Sequence, residues 1–334
     1  MAIENFGIGT LIIPMDATYQ NLGMYRAYGL VYNLLSNGIP VKWAIQSGKP
    51  FNGTDFTASA TDFQSGTIIT NHNYSGGPFI IDSAFAAAAA PLITAWQAAN
   101  PNVKVHVATA PFSADIAATM QRPPRIAVEA LNSGIVTTYL NAAGIPDSNG
   151  NVWSSSSPSV LSESEIAAGA LFGYDLTACR RNAYDILISP HTGTGVWDDP
   201  VLIVELNDWL RQGGFLHAMC ESIPSIENEA GPFLTQSGIP TTDTNKGDTG
   251  TFTVDIPDFP TIQAVNTTNP QGLPGGSFQT VYHNTPGLVY NSQTQILAHF
   301  IETKTGKQYD FIMAGLQLSV WPTTLVGGIV ASLL

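Results

Sequence analysis

The chain has 334 residues, of which 44% are hydrophobic and only 11% are charged, and its formal net charge is −13. An average soluble domain has roughly 25% charged residues, so the polar surface here is made largely of Ser, Thr, Asn and Gln. The 12 Lys and Arg residues are too few and too scattered for a nucleic-acid partner, because phosphate binding needs clustered positive charge. No apolar run approaches the ~18 residues of a membrane span, and no signal peptide is visible at the start.

The first 145 residues are predicted to form the first half of an α/β sheet region, because short apolar runs alternate with helical patterns. Apolar residues at three- and four-residue spacing indicate helices, and the first helix is followed by Gly38, where a C-cap belongs. The predicted strands are 9–16, 39–45, 78–82 and 103–109, the predicted helices are 21–38 and 83–99, and a further strand and helix share 125–144.

A polar linker or long loop is predicted at 146–165, and the alternation then resumes. In the region 166–239, the patterns predict a strand at 183–191, a helix at 200–214 and a strand at 214–220. Residues 240–295 predict a β-rich insertion, and 296–334 a closing hairpin and a C-terminal element. The predicted fold is therefore α/β, with a mostly parallel sheet covered by helices on both faces and a β-rich insertion in the C-terminal third.

Three consecutive segments resemble the class I glutamine amidotransferase-like (flavodoxin-like) superfamily and its trehalose-utilisation-like relatives. They are "AYDILISPHTG" (183–193), "DDPVLIVELNDWLRQGG" (198–214) and "FLHAMCES" (215–222). The later "HFIETKTGKQYDFIMAGL" (299–316) resembles the edge hairpin of the trehalose-utilisation-like domains, and the opening residues resemble uncharacterised bacterial exported or surface proteins. The resemblance implies a nucleophilic cysteine at the end of the third segment, which is Cys220 here.

The catalytic pattern that the resemblance implies is incomplete. A downstream His-x-Glu pair should activate the cysteine, but His299 and Glu302 are three apart on a predicted strand and face opposite sides, and no carboxylate adjoins His283 in the sequence. Cys220 lacks the flanking small residues of a strained elbow. A catalytic group of Cys220, His191 and Glu221 remains conceivable, because 183–191 and 214–220 are consecutive strands of one predicted sheet.

The sequence leaves open what the thiol of Cys220 does. It could be a reactive thiolate at the exit of a strand. It could equally be a small buried residue, which is the common role of a thiol in a protein core. A third alternative is a disulfide with Cys179, since these are the only two cysteines of the chain.

Other side chains are predicted at the carboxyl ends of strands, where parallel sheets bind ligands. Asp16, Asp82 and Glu129 are candidate ligand-binding residues, and Trp197 could line a site for a carbohydrate. The alternative for the two aspartates is that each caps the helix that follows it. His72 and His106 are interpreted as ordinary surface and strand residues, and no metal or cofactor is predicted.

Two functional hypotheses follow. The first is a non-catalytic extracellular or cell-surface protein that acts by self-assembly, as a surface-layer or filament subunit, or by binding, with copies of itself or carbohydrate as partners. It depends on the low charge, the missing catalytic pattern and the opening residues. The second is a cysteine hydrolase or carbohydrate-active enzyme that uses Cys220 with His191.

Overall fold

The structure is a computed structural model. It describes residues 2–174, 180–191, 197–230, 233–236, 238–240, 242–244, 250–263, 278–317 and 327–332. The chain divides into two compact units, the first made of residues 1–123, 139–145 and 256–269, and the second of 124–138, 146–255 and 270–334. In the described ranges, no helix combines the length and the apolar character that crossing a membrane requires.

The first unit is built mainly from the N-terminal third of the chain. A short 3₁₀ turn at Pro260–Ile262 belongs to it as well. Its elements are β1 (Ala2–Phe6), β2 (Leu11–Ile13), α1 (Ala17–Gln20), α2 (Met24–Ser36), β3 (Val41–Ala44), β4 (Thr54–Asp62), β5 (Ile68–Ser75), β6 (Phe79–Ile81), α3 (Ser83–Ala99), β7 (His106–Ala108) and β8 (Phe112–Met120).

The strands of the first unit form one antiparallel sheet in the order β1-β8-β3-β6-β2-β7-β4-β5. Helix α2 joins β2 to β3, which run in the same direction, but β6 lies between them and pairs antiparallel with both. Helix α3 likewise joins β6 to β7, with β2 lying between those two strands. The two crossover connections are therefore interleaved.

The two faces of this sheet are buried in different ways. On one face, Leu30 and Leu34 of α2 and Ile93 of α3 pack on apolar side chains of β2 and β6. On the other, the rings of Phe56 on β4 and Phe112 on β8 stack with their centroids 4.9 Å apart. Since β4 and β8 are distant in the strand order, this contact shows that the sheet curls.

Apart from a π-helical segment at Ile226–Ala230, the remaining elements follow in chain order, and most belong to the second unit. They are β9 (Ile126–Glu129), α4 (Gly134–Ala143), β10 (Val160–Leu161), α5 (Glu163–Ala167), β11 (Phe172–Tyr174), β12 (Arg180–Asn182), β13 (Ile186–Ser189), α6 (Pro200–Arg211), β14 (Phe215–Met219), α7 (Ser222–Ser225), β15 (Thr242–Thr244), β16 (Gly250–Val254), β17 (Phe278–Tyr282), β18 (Gln295–Glu302), β19 (Gln308–Gln317) and β20 (Gly327–Ser332).

The sheet of the second unit is mixed. Strands β10, β9, β13, β14 and β20 pair in parallel, in that order. Beyond β20 the pairing is antiparallel, through β19 to β17 and β15, while β18 lies between β19 and β16. The carboxyl ends of β9, β13 and β14 therefore meet at one edge.

The predicted mostly parallel sheet with helices on both faces is wrong. The first unit is a curled antiparallel sheet, and its strands β4, β5 and β8 fall in segments for which no strand was predicted. Strands β4 and β5 follow each other without a helix and pair antiparallel, while β8 pairs antiparallel with β1 and β3. The helices α2, α3 and α6 do lie at predicted positions. In the first unit, however, the crossovers through α2 and α3 do not place β2 beside β3 or β6 beside β7.

Candidate functional site

The candidate site begins with the helix that precedes β14. Asp199 caps α6 by accepting a hydrogen bond from the backbone N–H of Val201 (2.8 Å), and Pro200 occupies the first turn. The helix ends at Arg211, and Gly213, just beyond the C-cap Gln212, has a φ of +91°, the left-handed conformation that glycine adopts most easily. A Cβ on Gly214 would lie 2.3 Å from the ring of Trp209. The two glycines thus allow the chain to turn tightly from α6 into β14.

Cys220 occupies a strained turn between β14 and α7. Its φ is +50°, in the left-handed region that non-glycine residues rarely adopt. Holding such a residue there costs on the order of 1–3 kcal/mol, and strain of this kind concentrates at functional sites. The turn has the strand-to-helix geometry of a nucleophile elbow, although Met219 and Glu221 flank the cysteine instead of small residues.

His191 and Glu221 lie at the same edge of the sheet as Cys220. Ser189 at the end of β13 pairs with Ala218 on β14, so the loops that follow the two strands leave the sheet side by side. The Nε2 atom of His191 is 3.4 Å from a carboxylate oxygen of Glu221. A contact between two side chains that are both more than two-fifths exposed adds little stability, so its main effect is to orient the imidazole next to the elbow.

Glu129 ends the neighbouring strand β9 and is buried. One carboxyl oxygen accepts a hydrogen bond from the backbone N–H of Leu131 (2.7 Å), while Oε2 has no partner among the described residues. Burial raises the pKa of Glu129 to about 7, and the charge of Glu163 adds to this effect. A carboxyl group that titrates near neutrality can hold or release a proton at physiological pH.

The other predicted site residues lie elsewhere. Asp16 caps α1 through the N–H of Thr18 (3.1 Å), whereas Asp82 stands at the N-cap of α3 without making a capping hydrogen bond. Trp197 is fully buried in the core of the second unit, so its ring offers no face to solvent. Cys179 lies outside the described residues, and the disulfide stays a prediction.

Two histidine–aspartate pairs in the second unit were missed from the sequence. His283 Nδ1 is 2.7 Å from Asp310, and His299 Nδ1 is 2.7 Å from Asp255. Each pair comes from the pairing of distant strands, so spacing along the chain gives no sign of it. In the described ranges, no group of three or more His, Cys, Asp or Glu is arranged to hold a metal ion.

The first unit contains a further cluster that the sequence did not reveal. Asp16 is 3.0 Å from His72 Nε2, and the hydroxyl of Tyr74 is 2.8 Å from His106 Nδ1. The ring of Tyr19 lies edge-on to both imidazoles. His72 and His106 do lie on strands, β5 and β7, and they are also parts of one polar and aromatic cluster, which the sequence did not predict.

Comparisons with known proteins give only distant similarities. No protein-family model and no curated protein matches the chain. A putative ThuA-like protein of Bacteroides uniformis is 11% identical with a TM-score of 0.35, covering 57% of this chain and 77% of its own. A cytoplasmic protein of Salmonella typhimurium is 11% identical, with a TM-score of 0.31 over 52% of this chain and 68% of its own. A GH42 beta-galactosidase of G. stearothermophilus is also 11% identical, with a TM-score of 0.31 over 74% of this chain but only 30% of its own.

Proposed function

We propose that the second unit carries out acyl transfer through Cys220, with His191 as the general base and Glu221 orienting the imidazole. The observation that carries the proposal is the left-handed backbone of Cys220, at φ +50°, in the turn from β14 to α7. A structural thiol has no need of that conformation, which Gly or Asn adopts at lower cost. The proposal reverses the preference drawn from the sequence alone, which favoured a non-catalytic protein.

The reaction that suits this arrangement is hydrolysis of an ester, thioester or amide. His191 takes the proton of the Cys220 thiol, and the thiolate sulfur attacks the carbonyl carbon, so that a carbon–sulfur bond forms and the carbonyl electrons move to oxygen. Collapse of this intermediate expels the leaving group, which takes the proton from His191. Water then attacks the thioester with His191 again as base, which releases the acid and restores the thiol.

The rate of thiol alkylation tests this proposal. In a Cys179→Ala background, iodoacetamide is expected to modify Cys220 at pH 7 at least about tenfold faster than it modifies free cysteine, because an adjacent imidazole favours the thiolate. His191→Asn should remove most of that advantage, and Glu221→Gln a smaller part. The unmodified chain should show no Cys179–Cys220 bridge by mass spectrometry.

Cys220→Asn is the matched control for folding. Asparagine tolerates a positive φ, so this variant should keep the stability of the parent while losing all reactivity toward iodoacetamide. A thiol no faster than free cysteine, or one unaffected by His191→Asn, would contradict the proposal. A disulfide between the two cysteines would refute it outright.

A second candidate function is self-assembly, which was the first of the two hypotheses drawn from the sequence. The observation that favours it is a small apolar surface on the first unit, where Leu22 is 81% exposed and the exposed rings of Tyr25 and Tyr139 lie 5.8 Å apart. Clustered apolar side chains on a surface mark interaction sites more often than scattered ones do. An extracellular or cell-surface location stays a prediction from composition and from the opening residues.

Sedimentation velocity over a hundredfold range of concentration tests assembly. We expect oligomers that dissociate when Leu22, Tyr25 and Tyr139 are replaced together by serine, because the replacement removes the apolar area buried by association. Ile68→Ser, at another exposed apolar position, is the control and should leave the oligomers intact. A parent chain that remains monomeric over the whole range would exclude this function.

A further inference from the structure

The first unit contains a cavity of about 280 Å³ beside the turn that joins β4 to β5. Its wall combines polar side chains with two apolar ones, the exposed Ile68 and the buried Ile69. The wall includes Tyr19, Asp62, Ser65, Thr67, Ile69 and Lys104. Its volume is just below the roughly 300–1,000 Å³ of pockets that hold drug-sized ligands, so the cavity suits a compact molecule.

Asp62 presents one free carboxylate oxygen at this turn. Its Oδ1 accepts hydrogen bonds from the backbone N–H groups of Gln64 (3.1 Å) and Ser65 (2.7 Å) and from the Ser65 hydroxyl (2.8 Å). Its Oδ2 has no hydrogen bond within the described ranges. Burial alone would raise the pKa of Asp62, but the Ser65 hydrogen bonds and the charge of Lys104 outweigh it, and the pKa lies below its usual value. The cavity wall therefore carries a fixed carboxylate.

Tyr19 is held in place by the histidine cluster behind it. Its ring centroid is 4.8 Å from that of His72 and 4.4 Å from that of His106, edge-on in both cases. Asp16 fixes His72, and the Tyr74 hydroxyl fixes His106. A wall whose side chains are already immobilised loses little conformational entropy when a ligand binds.

The charges of the wall balance one another. Lys104 lowers the pKa of Asp62, so the ammonium and the carboxylate already attract each other. Burial lowers the pKa of His106 to about 4, which keeps this imidazole uncharged at pH 7. A ligand therefore has no net charge to neutralise, and it meets a carboxylate acceptor, an ammonium donor and several hydroxyl groups.

Hydroxyl groups on a ligand match this wall best, because each can donate to Asp62 and accept from Lys104, Tyr19 or Thr67. Hydrogen bonds to charged groups are roughly twice as strong as those between neutral groups. We propose that the cavity beside the β4–β5 turn binds a neutral polyol of the size of one monosaccharide. This site lies wholly within the first unit and is independent of the chemistry proposed for Cys220.

The test is titration calorimetry on the full chain with free hexoses and N-acetylhexosamines, supported by saturation-transfer NMR. We expect saturable binding of at least one of them at one site per chain, with the ring protons of the sugar receiving saturation. Asp62→Asn keeps the Oδ1 acceptor that shapes the turn but removes the free carboxylate oxygen, and it should weaken binding at least about tenfold. Lys104→Gln, which removes the ammonium group, should weaken binding by a similar factor.

Asp147→Asn is the matched control. Asp147 also accepts two backbone N–H groups in a turn, from Asn149 and Asn151, but it belongs to the second unit. This variant should bind as the parent does. The proposal fails if no sugar binds at sugar concentrations of tens of millimolar. It also fails if the Asp62→Asn and Lys104→Gln variants both bind sugar as the parent does, or if the parent binds glycine and alanine and not the sugars.

Discussion

Replacing Lys49 with methionine is expected to lower the free energy of unfolding of the first unit by about 3–5 kcal/mol, because it leaves a buried charge without its partner. The Lys49 side chain is 2% exposed and that of Asp55 is fully buried, and their charged atoms are 2.6 Å apart. Methionine has nearly the same length as lysine, so loss of packing contributes little. Urea unfolding followed by circular dichroism measures the effect.

The large expected effect follows from how many groups depend on this pair. Asp55 accepts backbone N–H groups from Gln46 and Gly77, both at 2.9 Å. Lys49 also donates to the side chain of Gln263 (2.7 Å), which binds the 256–263 segment to the rest of the first unit. Gly77, at φ +72°, has no room for a Cβ between Trp43 and Gln263, so the surroundings cannot relax easily around a lost charge.

A double-mutant cycle separates the ion pair from other effects. Asp55→Asn alone leaves Lys49 unpaired and should also be strongly destabilising, but the double variant should cost less than the sum of the single variants, by about 1–3 kcal/mol. Lys304→Met, at an exposed position, should change the stability by no more than about 0.5 kcal/mol. A cost below about 1 kcal/mol for Lys49→Met would mean that the pair is hydrated.

Raising the pH from 4.5 to 7.5 is expected to destabilise the second unit through two buried carboxyl groups. Burial raises the pKa of Glu129 and of Glu227 from 4.5 to about 7. The folded state thus binds more protons than the unfolded state between these values, and the free energy of unfolding falls as pH rises through that range. Each group contributes on the order of 3 kcal/mol to this fall in the free energy of unfolding, since one pKa unit corresponds to about 1.4 kcal/mol.

Glutamine variants isolate the contribution of each carboxyl group. Glu129→Gln and Glu227→Gln should each flatten the fall in stability between pH 4.5 and 7.5. His217 acts in the opposite direction within the same range, because burial lowers its pKa from 6.5 and the stabilising effect is lost as the pH falls below that value. Glu165→Gln is the control, because hydrogen bonds from Ser162 lower the pKa of Glu165, so ionisation of this group does not destabilise the fold as the pH rises. Parallel pH profiles for the parent and both variants would show that the two groups are not desolvated.

Local features of the fold could be predicted from the sequence, and strand pairing could not. Helices α2, α3 and α6 were predicted because spacing of apolar residues is a property of the segment itself. Strands β4 and β8 were missed because "TDFTASATD" and "FSADIAATM" mix small and polar residues without an apolar run. The antiparallel arrangement depends on the order of the strands in the sheet, for example on β6 lying between β2 and β3. No single segment of the sequence encodes that order.

The same distinction holds for the candidate sites. His191 and Glu221 were predicted near Cys220 because they follow strands joined by one helix, and such strands are often neighbours. His283 and Asp310 meet only because β17 pairs with β19, with Val281 opposite Asp310. The left-handed backbone of Cys220 also has no sequence signal, because a cysteine ordinarily predicts negative φ.

The interleaved crossovers of the first unit constrain how this part of the chain is made on the ribosome. The central strand β2 pairs only with β6 and β7, so Leu11 has no strand partner until Ile81 has been synthesised. Strand β3 must wait in the same way for β6 or β8. Helix α2 leads from β2 to β3, and helix α3 leads from β6 to β7, but the two strands of each pair are not neighbours in the sheet. The nascent chain therefore cannot build the sheet by pairing each new strand with the one before it. The backbone N–H and C=O groups at the edges of β2 therefore have no strand partner until β6 has been made, and unpaired strand edges of this kind are a hazard that a chaperone would guard against.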